Sequence, residues 1–150
     1  MNRALFHHHR RLSIGLVACC VTAFLAPMVL RADNLEGADV ILCGSTLVHH
    51  CTASGGCESD PPWNYNIPIF VEIDFNQRVI RTTDASHENR STPLKNLERD
   101  EPFVFLQGVE QGRAFSAVIA TDVGLATFSI AADGETIAIF GACTPISTAD

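Results

Sequence analysis

The final third of the chain alternates. From Leu125 to Ala131 and from Glu135 to Cys143, large apolar residues recur at every second position, and Asp133-Gly134 lies between the two runs. A period of two places successive side chains on opposite faces of a strand, and Asp-Gly supplies the positive φ angles of a tight type I′ turn. With that two-residue loop, Ala132 faces Glu135, Ile130 faces Ile137 and Phe128 faces Ile139. Both apolar pairs then share one face, which a slip of a single residue would destroy.

The same pattern recurs upstream. Ile67, Ile69, Val71, Ile73 and Phe75 point one way, while Pro68, Phe70, Glu72 and Asp74 point the other. Asn76-Gln77 turns the chain, and Arg78 to Thr83 returns with Ile80 opposite Ile73 and Thr82 opposite Val71. Phe103 to Gln107 and Arg113 to Ala120 read as strands joined near Glu110-Gln111-Gly112, and Asp122-Val123-Gly124 leads into the last hairpin. Val40 to Cys43 forms a compact apolar run. The stretch from Gly44 to Tyr65 is rich in Gly, Ser, Pro and Cys, with room for one short strand over Leu47 to Cys51. Asp84 to Glu101 reads as a polar connection in which Leu94 and Leu97 allow one helical turn. No long helical period is present. The expected class is all-β: a small antiparallel up-and-down meander, closed as a barrel or folded as a two-layer sandwich, with disulfides. Both close or cover the edges of the sheet, and the barrel-like meander is preferred.

The N-terminus reads as an export signal. Arg3 and the run His7-His8-His9-Arg10-Arg11 form a positive head, Leu12 to Leu30 carries no charge, and Asp33 opens a polar chain. Cleavage is expected after Ala32, leaving residues 33–150 as a single secreted or periplasmic β domain with no membrane attachment. Two rivals are an uncleaved membrane anchor and a lipoprotein modified at Cys19. The chain past Ala32 keeps four cysteines, Cys43, Cys51, Cys57 and Cys143. An even number in an exported chain indicates disulfides. Four cysteines allow three connectivities; the favoured one pairs Cys51 with Cys57, closing a short loop through Ser54-Gly55-Gly56, and Cys43 with Cys143, clamping the first strand to the last.

Charge excludes one class of partner. The whole chain has 10 bases and 17 acids; the four charges of the leader (Arg3, Arg10, Arg11, Arg31) are all basic, so residues 33–150 keep 6 bases against 17 acids, a balance of −11. Such a domain repels nucleic acid and anionic membranes and suits a cationic partner.

Few residues suggest chemistry. His49, His50 and Cys51, with Cys43 and Cys57 nearby, offer metal-ligand types, yet adjacent residues on a strand point to opposite faces and the cysteines are expected in disulfides. Asp84-Ala85-Ser86-His87-Glu88 gathers a hydroxyl, an imidazole and carboxylates, the types of a small hydrolase, on a loop that reads as solvated. Glu72 with Asp74 and Asp100 with Glu101 read as exposed carboxylate pairs. Trp63 and Tyr65, the only Trp and Tyr, either anchor a partner or plug one end of the barrel, the plug being preferred. No catalytic residue and no cofactor is expected. In design and charge alone the chain resembles periplasmic inhibitors of lysozyme, small disulfide-bearing β proteins that target a basic enzyme; no inhibitor motif matches residue by residue. The functional expectation is therefore a non-enzymatic exported domain that binds a protein or small ligand. An inhibitor of a cationic hydrolase such as lysozyme and a metal-binding protein using His49, His50 and the cysteines are the alternatives.

Overall fold

A computed structural model describes residues 33–86 and 88–146. The leader with its cleavage point at Ala32, Cys19 and His87 lie outside the described residues. Nine strands follow one another: β1 (Val40–Thr52), β2 (Cys57–Asp60), β3 (Phe70–Asp74), β4 (Val79–Thr82), β5 (Ser91–Asp100), β6 (Phe103–Glu110), β7 (Arg113–Ala120), β8 (Leu125–Ala132) and β9 (Glu135–Pro145). Every pairing is antiparallel, in the order β2-β1-β3-β4-β5-β6-β7-β8-β9, and β9 returns to β1. Eight strands thus close into a barrel, and β2 lies as an extra strand against the end of β1.

The hairpin registers follow the apolar pattern. Ala132 faces Glu135, Ile130 faces Ile137 and Phe128 faces Ile139; Ile73 faces Ile80 and Val71 faces Thr82. Gln111 (φ 50°) and Gly112 (φ 80°) make the β6–β7 turn, and Gly134 (φ 74°) completes the last one. Both expected disulfides are formed. Cys43 and Cys143 lie directly opposite each other on β1 and β9, and Cys51 lies opposite Cys57 on β1 and β2. Two disulfides fit an oxidising compartment, and no helix among the described residues is long and apolar enough to cross a membrane.

Three expectations are corrected. The run Val40–Cys43 and the short strand near Leu47 are one strand, β1, which stays continuous through a bulge between Ser45 and Leu47. The strand expected over Ile67 to Phe75 pairs only from Phe70 to Asp74, because Pro68 has no N–H to give to a ladder. The connection expected over Asp84 to Glu101 contains strand β5, preceded by one 3₁₀ turn at Asp84–Ser86.

The core fills the barrel with inward side chains, among which Ile41, Val48, Ile73, Leu106 and Ile119 are fully buried. One end is sealed. Leu35 enters it and is held by its N–H donating to the Thr121 carbonyl at 2.7 Å. Phe75 packs beside it in the same apolar cluster, with the Arg99 guanidinium 4.6 Å from its ring centroid. The other end is open. At the β1–β9 seam the strands approach closely: a Cβ on Gly141 would lie 2.4 Å from the Gly44 carbonyl oxygen, so only glycine fits.

Candidate functional site

The open end arises from a local parting of strands. β1 and β3 pair only between Val40 and Gly44. Past the bulge, β1 pairs with β9 on one side and with β2 on the other. The segment between β2 and β3 crosses the gap. Pro62–Tyr65 makes one 3₁₀ turn, with Pro62 buried, and Asn66 ends it in the left-handed region at φ 55°.

Behind this segment lies a cavity of about 90 Å³. Its apolar lining includes Ile67, Val71, Ile80, Phe115, Phe128 and Ile130. Gly108 makes room for it: a Cβ there would meet the Phe115 ring at 2.3 Å, so the glycine lets that ring lie flat across its own strand.

Charge is confined to the mouth. The Arg90 side chain is only 14% exposed; its Nη2 donates to the Asn66 carbonyl at 3.3 Å and contacts Glu88, and its Nη1 lies 3.7 Å from Glu110. Arg90 Nε is buried and has no partner among the described residues. Arg113, across the β6–β7 turn from Glu110, lines the same cavity. Among the described residues Arg113 forms no ion pair. An apolar floor beside one unpaired guanidinium can receive an apolar group that ends in an anion.

The residues singled out from sequence fall elsewhere. His49 and His50 point to opposite faces: His49 packs edge-on against Phe140 on the outside (centroids 6.1 Å apart), while His50 turns inward, its Nε2 2.8 Å from Glu135 Oε2 and its ring 4.7 Å from Tyr65. The four cysteines are in disulfides, and among the described residues no group of three His, Cys, Asp or Glu is placed to hold a metal ion. In the Asp84–Glu88 segment, Ser86 Oγ donates to the Phe70 carbonyl at 3.1 Å and Glu88 is taken by Arg90. Glu72 and Asp74 both reach Arg81, at 2.9 and 3.7 Å, and Asp74 also accepts the Gln77 N–H that closes the β3–β4 turn.

Trp63 does not plug the barrel. It is 63% exposed, because Pro62 takes the inward place of the 3₁₀ turn. Tyr65 is the aromatic that packs against the core edge, with its hydroxyl donating to Asp60 Oδ2 at 3.2 Å. Desolvation, that hydrogen bond and the charges of Asp60 and Glu58 raise its pKa above the ordinary value for a phenol.

Arg90, Arg113, Glu110 and Phe115 were not singled out in the sequence. Their one available signal was scarcity: residues 33–150 hold 6 bases, of which Arg90 and Arg113 lie at the mouth of this cavity. No family model, no curated protein and no solved structure matches the chain.

Proposed function

We propose that this protein is an exported, non-enzymatic β-barrel that takes a small ligand into its open end, and that the ligand joins a short apolar body to a carboxylate. The observation that carries the reading is the apolar cavity with the unpaired Arg113 guanidinium at its mouth. Size limits the body. A cavity of roughly 150 Å³ takes up benzene, so about 90 Å³ suits about four or five carbon atoms, a branched alkyl group rather than a long chain. Export is supported by the positive head and apolar body of the leader and by the two disulfides. The non-enzymatic reading is supported by the engagement of Ser86 with backbone and of Glu88 with Arg90.

Calorimetric titration of isovalerate into the exported protein tests this. One saturable site is expected, weakened roughly tenfold to a hundredfold by Arg113→Gln, as for loss of a hydrogen bond to a charged group, and the amine of the same skeleton is not expected to bind. No binding of isovalerate, or equal binding of the amine, overturns it.

A second reading has its own observation. Trp63 stands exposed beside the acidic strand β2, whose Glu58 and Asp60 are also exposed. A large aromatic rimmed by carboxylates suits a basic protein surface, as an inhibitor of a cationic hydrolase requires. Capture on immobilised lysozyme that is lost in Trp63→Ala and in Glu58→Lys/Asp60→Lys would support it; capture unaltered by either would remove it.

A further inference from the structure

The outer surface of the barrel is divided. On β6, β7, β8 and β9 the outward positions alternate with core positions, and from Phe103 to Thr144 no outward strand residue is charged. Glu110, Arg113 and Glu135 on these strands occupy inward-phase positions at the mouth. Side chains on this wall line up across strands: Phe105 faces Val118, Val118 faces Thr127, Thr127 faces Phe140, and Phe140 faces Leu47 of β1. Leu47, Phe103, Phe105, Val118, Leu125 and Phe140 are each between 36% and 57% exposed.

About three adjacent strands of a closed barrel can face one partner at a time; at about 4.8 Å per strand and about eight residues of roughly 3.4 Å each, they cover on the order of 400 Å² in projection. Accessible area exceeds projected area, so the contact falls at the small end of specific interfaces, with small uncharged residues filling in between the large apolar ones. The charge of residues 33–150, 17 acids against 6 bases, lies off this wall, so it is the face on which two copies meet with no charged side chain to desolvate. The wall is not a lipid belt, which must run all the way round a barrel; Glu72, Arg81, Lys95, Glu98 and Asp100 on β3–β5 interrupt it.

We propose that the occupant of this wall is a second copy of the chain, in a twofold, face-to-face packing of the two β6–β9 sheets. Such a contact places each outward residue into the interface twice. It leaves the mouth of each barrel, with Arg90 and Arg113, outside the contact.

Sedimentation equilibrium of the exported protein tests this. A dimer is expected, tighter at higher ionic strength, because salt screens the repulsion between acidic surfaces while leaving apolar burial intact. Val118→Lys is expected to weaken pairing at least a hundredfold, since two lysines would meet without partners. Leu125→Lys is expected to act alike. Both positions are exposed, so circular dichroism should be unchanged. Glu98→Lys on the opposite wall should leave the dimer intact. A monomer at millimolar concentration, a dimer indifferent to both lysine variants, or a monomer that floats with neutral phosphatidylcholine vesicles would overturn the assignment, the last in favour of a lipid surface.

Discussion

The two walls of this barrel share an inward pattern and differ in everything that faces out. The β6–β9 wall has eight-residue strands, or eleven in β9, with regular alternation and no outward charge. The β3–β5 wall is built from strands of five and four residues and a ten-residue strand broken by a bulge. Its outer face carries Glu72, Arg81, Lys95, Glu98 and Asp100. Closure of the barrel requires only the inward half of each strand, which both walls supply. The outward half is free to serve other ends: solvation on one wall, association on the other. The apolar cavity lies at the open end, where β1 and β3 part.

The largest expected effect concerns the seam that ties β9 to β1. The Cys43–Cys143 loop has a sequence separation of 100 and the Cys51–Cys57 loop one of 6. In the chain-entropy account their removal costs about 4.7 and about 2 kcal/mol respectively. Urea unfolding of the two double-serine variants should therefore rank them in that order, and an equal loss would show that the seam is held by its hydrogen bonds alone. Next comes the contrast between the inward faces. Leu106 on β6 is fully buried and Leu97 on β5 only half-buried. Leu106→Ala should cost about 2–5 kcal/mol and Leu97→Ala about 1 kcal/mol; similar values would erase the difference in packing between the walls. A smaller effect tests the charged outer face. Arg81 and Glu72 pair at 2.9 Å with side chains 32% and 30% exposed, so a double-mutant cycle should return at most about 1 kcal/mol. A larger coupling would make that face structural rather than solvating.

The smallest effect is spectroscopic. Tyr65 is the only tyrosine, so its titration is read directly from phenolate absorbance. The fold favours its protonated form, so its contribution to stability is present below the unfolded pKa and is lost as pH rises through the folded value. The midpoint should lie above 10.0, the ordinary value for a phenol, and move down in Asp60→Asn. A midpoint at or below 10.0 would mean that the Asp60 contact is not held in solution.

The same contrast decided what could be read from sequence. The β6–β9 wall was legible almost residue for residue, because its period of two is unbroken and the Asp133-Gly134 and Gln111-Gly112 turns fix phase at both ends. Strand β5 was not. The bulge between Leu94 and Asn96 turns the inward spacing Leu94 to Leu97 into three residues, which mimics a helical turn, and Pro93 hides the strand further. The continuity of β1 was lost for a related reason: the bulge at Ser45 falls among Gly44, Ser45 and Thr46, residues that read as loop. The site was hardly legible at all. Arg90 and Arg113 stand 23 positions apart, with β5 and β6 between them. Nothing local in either segment indicates that closure of the sheet brings both to one mouth. His50, by contrast, was placed correctly on the face opposite His49 by strand geometry, but its partner Glu135 lies 85 positions away.

The most direct test of the account follows isoleucine and valine methyl resonances while isovalerate is added. The cavity is lined by Ile67, Ile80, Ile130 and Ile139, whereas Ile41 and Ile119 are buried but do not line it. The account requires the first group to shift and saturate together while Ile41 and Ile119 stay in place. Unmoved resonances, or shifts confined to Val109 and Val118 on the outer wall, would contradict it.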